Sequence, residues 1–216
     1  MTCDCATVGG VKRPAERARK PQRMEFTFHL FVQKHANRTY TVTPLPFFDL
    51  TAYGINLNEI KRDLAEALAE RIKEIPARNL HSLEFDSSIT LRKVKVELRP
   101  IDRKTRKKRR EQVKLMVSLL VKKDDDGQLI VSVPKLGTPP LVFYAYNWGE
   151  LESTAVHELT AWFDDMTLEQ LLDFQHARTE TLETLSVDVT LRKPKEEPEG
   201  EGPHSGTAQR FWAVPL

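Results

Sequence analysis

The chain nearly repeats itself. Tyr53 to Ile60 has a counterpart in Tyr144 to Leu151, and Thr90-Leu91-Arg92-Lys93 recurs as Thr190-Leu191-Arg192-Lys193. Self-similarity over this distance means two copies of one supersecondary unit, which constrains the fold more than any single motif does. Two Asn-x-x-Glu patterns, Asn56 to Glu59 and Asn147 to Glu150, keep the same separation as Tyr53 and Tyr144. Each reads as a capping box, in which the asparagine satisfies an orphan N–H at a helix start and the glutamate reaches back.

Periodicity fills in the units. In the first, Phe26, Phe28, Leu30 and Val32 alternate with Thr27, His29 and Phe31, a strand pattern. Ala36-Asn37-Arg38 is a turn, and Thr39 to Thr43 returns as a second strand, which Pro44 and Pro46 should end because proline cannot donate to a ladder. A loop leads through Tyr53-Gly54 to a helix whose apolar face is Ile60, Leu64, Ala67, Leu68 and Ile72, stopped by Pro76. Val94 and Val96 then alternate with Lys93, Lys95 and Glu97. The second unit repeats the order. Val113 to Val121 alternates, Asp124 to Gly127 makes a turn with glycine where positive φ is needed, Leu129 to Val133 returns, and Leu141 to Tyr146 adds a short strand. A helix follows with Leu151, Ala155, Leu159, Trp162 and Phe163 on one face. Thr167 caps a short helix that reads as an insertion, and Leu185 to Leu191 closes the unit. The expected fold is α+β: two tandem ββαβ units, each a small, mainly antiparallel sheet with one helix on a face.

The boundaries follow from composition. Residues 1–24 are a basic tail expected to be disordered, 25–100 the first unit, 101–111 a basic linker and 112–193 the second unit. Residues 194–209, rich in Pro, Glu and Gly, read as a flexible linker. Residues 210–216, with Phe211 and Trp212, suit the start of a further module or a docking peptide. No apolar run is long enough to span a bilayer as a helix. The N-terminus lacks a signal-peptide core, and Cys3 and Cys5 are poorly spaced for a disulfide. A cytoplasmic protein is expected.

Chemistry-bearing patterns are sparse. Seven of the eight residues from Arg103 to Arg110 are cationic: Arg103, Lys104, Arg106, Lys107, Lys108, Arg109 and Arg110. Such a run suits phosphates, but no aromatic interleaves to stack on bases. His157-Glu158 opens like a zinc motif, yet Ala161 stands where the second histidine belongs. Asp124 to Asp126 lacks the remaining positions of a calcium loop. Neither a glycine-rich phosphate cradle nor a Gly-x-Ser-x-Gly elbow is present. No catalytic residue, metal or cofactor is expected. An aromatic group, Phe47, Phe48, Tyr53, Tyr144, Tyr146 and Trp148, precedes the two helices. It reads first as sheet-to-helix core and second as a set of peptide anchors, with Tyr144, Tyr146 and Trp148 the candidate binding residues.

Tyr40-Thr41-Val42-x-Pro44-x-Pro46, then Tyr53-Gly54 and Glu59-Ile60 ahead of Ala67-Leu68, resembles the HicB-type antitoxin domain over about thirty residues of each copy. The second copy departs from that pattern, with Ala145 in place of the glycine. The resemblance implies a ββαβ fold and carries no antitoxin activity with it. The layout of an α+β region, a Pro/Glu-rich linker and a hydrophobic end is similar to the N-terminal part of a Clp-type AAA+ unfoldase. That resemblance implies recognition of substrates or adaptors, with ATP chemistry elsewhere. The expected function is therefore non-catalytic recognition of a protein or peptide. The alternative is a nucleic-acid-binding or antitoxin-like regulator acting through residues 103–110.

Overall fold

The computed structural model describes residues 22–83, 85–137, 139–174 and 177–191. The strands are β1 (Gln22–His35), β2 (Tyr40–Leu45), β3 (Ala52–Gly54), β4 (Thr90–Leu98), β5 (Val113–Lys123), β6 (Leu129–Val133), β7 (Leu141–Ala145) and β8 (Ala177–Leu191). The helices are α1 (Leu57–Glu74), α2 (Leu151–Phe163) and α3 (Leu168–Phe174), and a 3₁₀ turn covers Ala77–Leu83. The strands form two antiparallel four-stranded sheets, ordered β3-β2-β1-β8 and β4-β5-β6-β7. The fold is α+β, as the alternating and helical periods predict. The basic tail, the Pro/Glu/Gly linker and the Phe211-Trp212 end lie outside the described residues, as do both cysteines.

The connectivity differs from a simple tandem. The strand that follows α1, β4, does not close the first sheet; it pairs along its length with β5, from Thr90↔Val121 to Leu98↔Val113. The first sheet is closed instead by the last strand, β8, which pairs with β1 from Gln22↔Leu191 to His35↔Ala177. Each half thus donates its final strand to the other. Residues 101–111 are consequently not a linker between units but the loop of the β4–β5 hairpin inside one sheet. Short β3 also adds a strand that the proline-rich stretch conceals, so each unit runs βββα before its exchanged strand. Nor does β2 stop before Pro44: it continues to Leu45, with Pro44 opposite Leu30. β3 reaches only as far as Val42, so beside Pro44 the strand is an edge, where a missing N–H costs no ladder bond.

The two halves correspond at several positions. Tyr40↔Gly54 pairs β2 with β3, as Leu129↔Ala145 pairs β6 with β7. The buried residues of α1, Ile60, Leu64, Leu68 and Ile72, recur in α2 as Leu151, Ala155, Leu159 and Phe163. Ala67 and Trp162, assigned to these faces from periodicity, are exposed. The 3₁₀ turn places Leu80 in the first core where α3 places Leu171 in the second, so α3 is the counterpart of the turn and not an insertion. Both long hairpins close alike, with His35 N donating to Thr39 O at 2.8 Å and Asp124 N donating to Gln128 O at 2.9 Å. Arg38 and Gly127 occupy the left-handed position, at φ 67° and 86°. The Thr-Leu-Arg-Lys identity is not part of this correspondence. Val32 and Val121 stand equally far from their turns, and their partners are Thr181 and Thr90. Thr190 lies at the far end of β8.

Each helix covers one sheet face. The opposite faces of the two sheets meet through Leu45, Ile89 and Leu120, with Phe48, Leu91 and Leu182 packed around them. The order of layers is helix, sheet, sheet, helix.

Candidate binding surfaces

The cationic run is held in a defined shape. The Asp102 carboxylate accepts from Lys104 N at 3.0 Å, Thr105 N at 2.9 Å and Thr105 Oγ1 at 3.1 Å. Those bonds set its carboxyl below the usual range, the backbone N–H of Thr105 contributing most. Asp102 N donates to Lys107 O and Arg106 N donates to Asp102 O, both at 2.9 Å. Arg106 takes a left-handed φ of 56°. Ile101 N donates to Met166 O at 2.9 Å, and Lys108 bonds Asp164 just beyond α2, so the loop is docked on the α2–α3 corner. All seven cations are exposed. Lys108 pairs with Asp164 and Arg109 with Asp102. Arg103, Lys104, Arg106, Lys107 and Arg110 make no side-chain ion pair among the described residues.

The aromatic residues split. Phe47 is in the first core at 8% exposure, as the packing reading expects. Tyr53 (75% exposed) and Tyr144 (50%) lie instead on one edge strand of each sheet, β3 and β7, at corresponding positions. Alternation explains this: Ala52 packs beneath α1, and Phe143 and Ala145 are buried beneath α2, so the residue beside them points away. Tyr146 is 77% exposed after β7, and Ile55 is 79% exposed after β3. Gly54 stands between Tyr53 and Ile55, where a Cβ would come within 3.1 Å of Ile60 Cγ1 and make that side chain shift by a few tenths of an ångström. Trp148 sits in the turn before α2, with the Arg92 guanidinium 5.2 Å from its ring centre. Periodicity did not single out Arg92; it is brought there because β4 lies under α2. Trp148 and the cationic loop are at opposite ends of α2, about 20 Å apart by helix rise. They do not form one site.

Two interior polar groups escaped the sequence reading. Glu180 on β8 accepts from Ser118 Oγ on β5, from Gln33 Nε2 at 3.0 Å, and from Lys135 Nζ at 3.1 Å. Burial pushes its carboxyl up, but the Ser118 bond, the Lys135 charge and the Gln33 bond outweigh this and leave it lowered. Lys135 also donates to Phe174 O at 2.5 Å. An acid in an alternating strand resembles any solvated one, which is why no pattern marks it. His29 lies beside the segment that crosses between sheets. Its Nε2 is 2.8 Å from the Asp86 carbonyl oxygen; a carbonyl only accepts, so Nε2 carries the proton. Nδ1 is buried without a hydrogen-bond partner among the described residues. The adjoining cavity, lined by Leu45, Leu83, Phe85 and Ile89 among others, measures about 20 Å³, room for a single water.

Among the described residues no group of three or more His, Cys, Asp or Glu is placed to hold a metal, and no helix is long and apolar enough to cross a membrane. Compared with protein-family models, curated proteins and solved structures, the chain finds no match.

Proposed function

We propose that this chain is a recognition domain that binds an extended polypeptide segment along the outer edge of its sheets, with β7 the principal edge. One observation carries the reading. Tyr53 and Tyr144 are exposed at corresponding positions of β3 and β7, each one of the two edge strands of its sheet. Single exposed aromatics are ordinary, but natural sheets usually blunt their edges with charge or proline. A strand edge supplies main-chain hydrogen bonds to a peptide, and flanking aromatics supply anchors. β7 offers five residues against three in β3, together with Tyr146, Trp148 and Arg92. The layout resemblance to Clp-type N-terminal regions fits this use, in which the domain would deliver an extended substrate or adaptor to an ATPase.

Selecting random peptides displayed on phage against the chain tests this. Enriched peptides should slow amide exchange in β7 and lose at least tenfold in affinity with Tyr144→Ala. Peptides that bind without protecting β7 or β3, or that ignore the substitution, would sink the proposal.

A further inference from the structure

Twelve of the 33 Lys and Arg residues fall between Arg92 and Lys114, against three acids, Glu97, Asp102 and Glu111. The chain as a whole is only +2, so the remainder is net negative. This concentration coincides with a distinct piece of architecture. β6 pairs with β5 only from Leu120 to Lys123, whereas β4 stays paired with β5 to Leu98↔Val113. Beyond Leu120, β4 and β5 therefore continue as a two-stranded ribbon. α2 backs one face over Val94, Val96, Leu98, Leu115 and Val117, all buried. The other face shows Lys93 and Lys95, with Glu97 2.8 Å from Lys95. At the end of the ribbon stands the Asp102-centred tip, with its five cations outside any ion pair among the described residues.

From this geometry we infer that the β4–β5 ribbon tip is an arm that grips the phosphate backbone of duplex nucleic acid. Cations fixed on a hydrogen-bonded loop repel one another, and a polyphosphate relieves that repulsion while releasing its own counterions. The tip displays charge without aromatic rings, so it has no platform for stacking unpaired bases. Ile101, the apolar residue next to the run, is buried; the tip therefore has nothing to insert into a bilayer, as interfacial membrane binding requires. The loop is braced on the α2–α3 corner through Met166 and Asp164, so it presents its cations to the phosphates from outside a groove. Lysines and arginines that contact phosphate fix position without reading bases, so binding is independent of sequence. This surface is separate from β7, and neither proposal depends on the other.

Fluorescence anisotropy of the full chain with a labelled DNA duplex of arbitrary sequence tests the arm. Five phosphate contacts give a slope of log affinity against log salt of about −4 to −5. The combined variant R103Q/K104Q/R106N/K107Q/R110Q, with asparagine chosen for the left-handed position, should weaken binding at least tenfold at low salt and flatten the slope. Its melting temperature should be unchanged, because these side chains make no ion pair among the described residues. Tyr144→Ala should leave duplex affinity unaltered. No binding by the native chain at low salt would overturn the inference. So would equal binding by the five-fold variant, which would assign the affinity to the basic N-terminal residues. Retention on phosphatidylserine vesicles without duplex binding would overturn it in favour of a membrane.

Discussion

Sheet β3-β2-β1-β8 and sheet β4-β5-β6-β7 share strand order, hairpin register and the spacing of buried helix residues. They differ in what stands at the corresponding polar and exposed positions. Where β8 places Glu180, bonded into the other sheet, the segment before β4 places Ile89, packed with Leu45 and Leu120. Lys61 and Glu183 form an ion pair at 2.5 Å beside α1, while the corresponding place beside α2 has Arg92 over Trp148. The lesson is a division of labour: matched positions build the scaffold, and mismatched ones hold the halves together or face outward.

The largest effects should come from the matched cores. Leu68→Ala and Leu159→Ala each empty a fully buried site and should each cost about 3 kcal/mol. Because the halves exchange strands, both should shift one common urea transition; two separate transitions would break the picture of an interlocked fold. For the same reason residues 22–100 expressed alone should give no folded sheet, since β1 then lacks β8.

Glu180 comes next. Glu180→Ala leaves partly buried Lys135 with only the Phe174 carbonyl and ring and should cost about 2 kcal/mol, below the range for breaking a fully buried pair. The folded carboxyl is lowered, so its stabilisation is full above the unfolded value near 4.3 and is lost as pH falls through the folded one. Measured by urea denaturation, the gap between native chain and Glu180→Gln should therefore be constant at neutral pH and shrink in acid. A gap that widened in acid would refute the role given to Glu180.

The hairpin turns give a smaller contrast of opposite sign. Gly127→Ala places a Cβ at φ 86° and should destabilise by about 1 kcal/mol, whereas Arg38→Gly removes one at φ 67° and should stabilise by about the same. Thermal melts of the two variants should move in opposite directions. Smallest of all, Tyr53→Ala and Tyr144→Ala should change stability by under about 0.5 kcal/mol, with Tyr144→Ala showing its effect in peptide binding alone.

Much of this scaffold is visible in the residues themselves. Helical spacing locates Ile60 to Ile72 and Leu151 to Phe163, and Asn56 caps α1 as expected, its side chain accepting from Asn58 N. The Asn147 pattern acts one turn early: its side chain accepts from Gly149 N and Glu150 N in the turn that leads into α2. The exchange of β4 and β8 is invisible for a physical reason. A period of two fixes which face a strand buries, not which neighbour it pairs with. Val94 and Val96 would suit either sheet. For the aromatics, spacing located the cluster but not its exposure, because Tyr144 alternates with Phe143 and a shift of one residue would reverse them. The cationic loop was legible as charge, while its rigidity depends on Asp102, which reads in sequence as one acid among bases.

The late arrival of β8 gives this chain an unusual schedule on the ribosome. Domains generally fold as their chain emerges, N-terminal parts first. Here β4 to β7 and α2 complete the second sheet's complement by Phe163, whereas β1, made before all of them, gains its long partner only with Ala177–Leu191. The sheet that begins first is the one finished last, and until then the inner edge of β1 stays open to whatever strand reaches it.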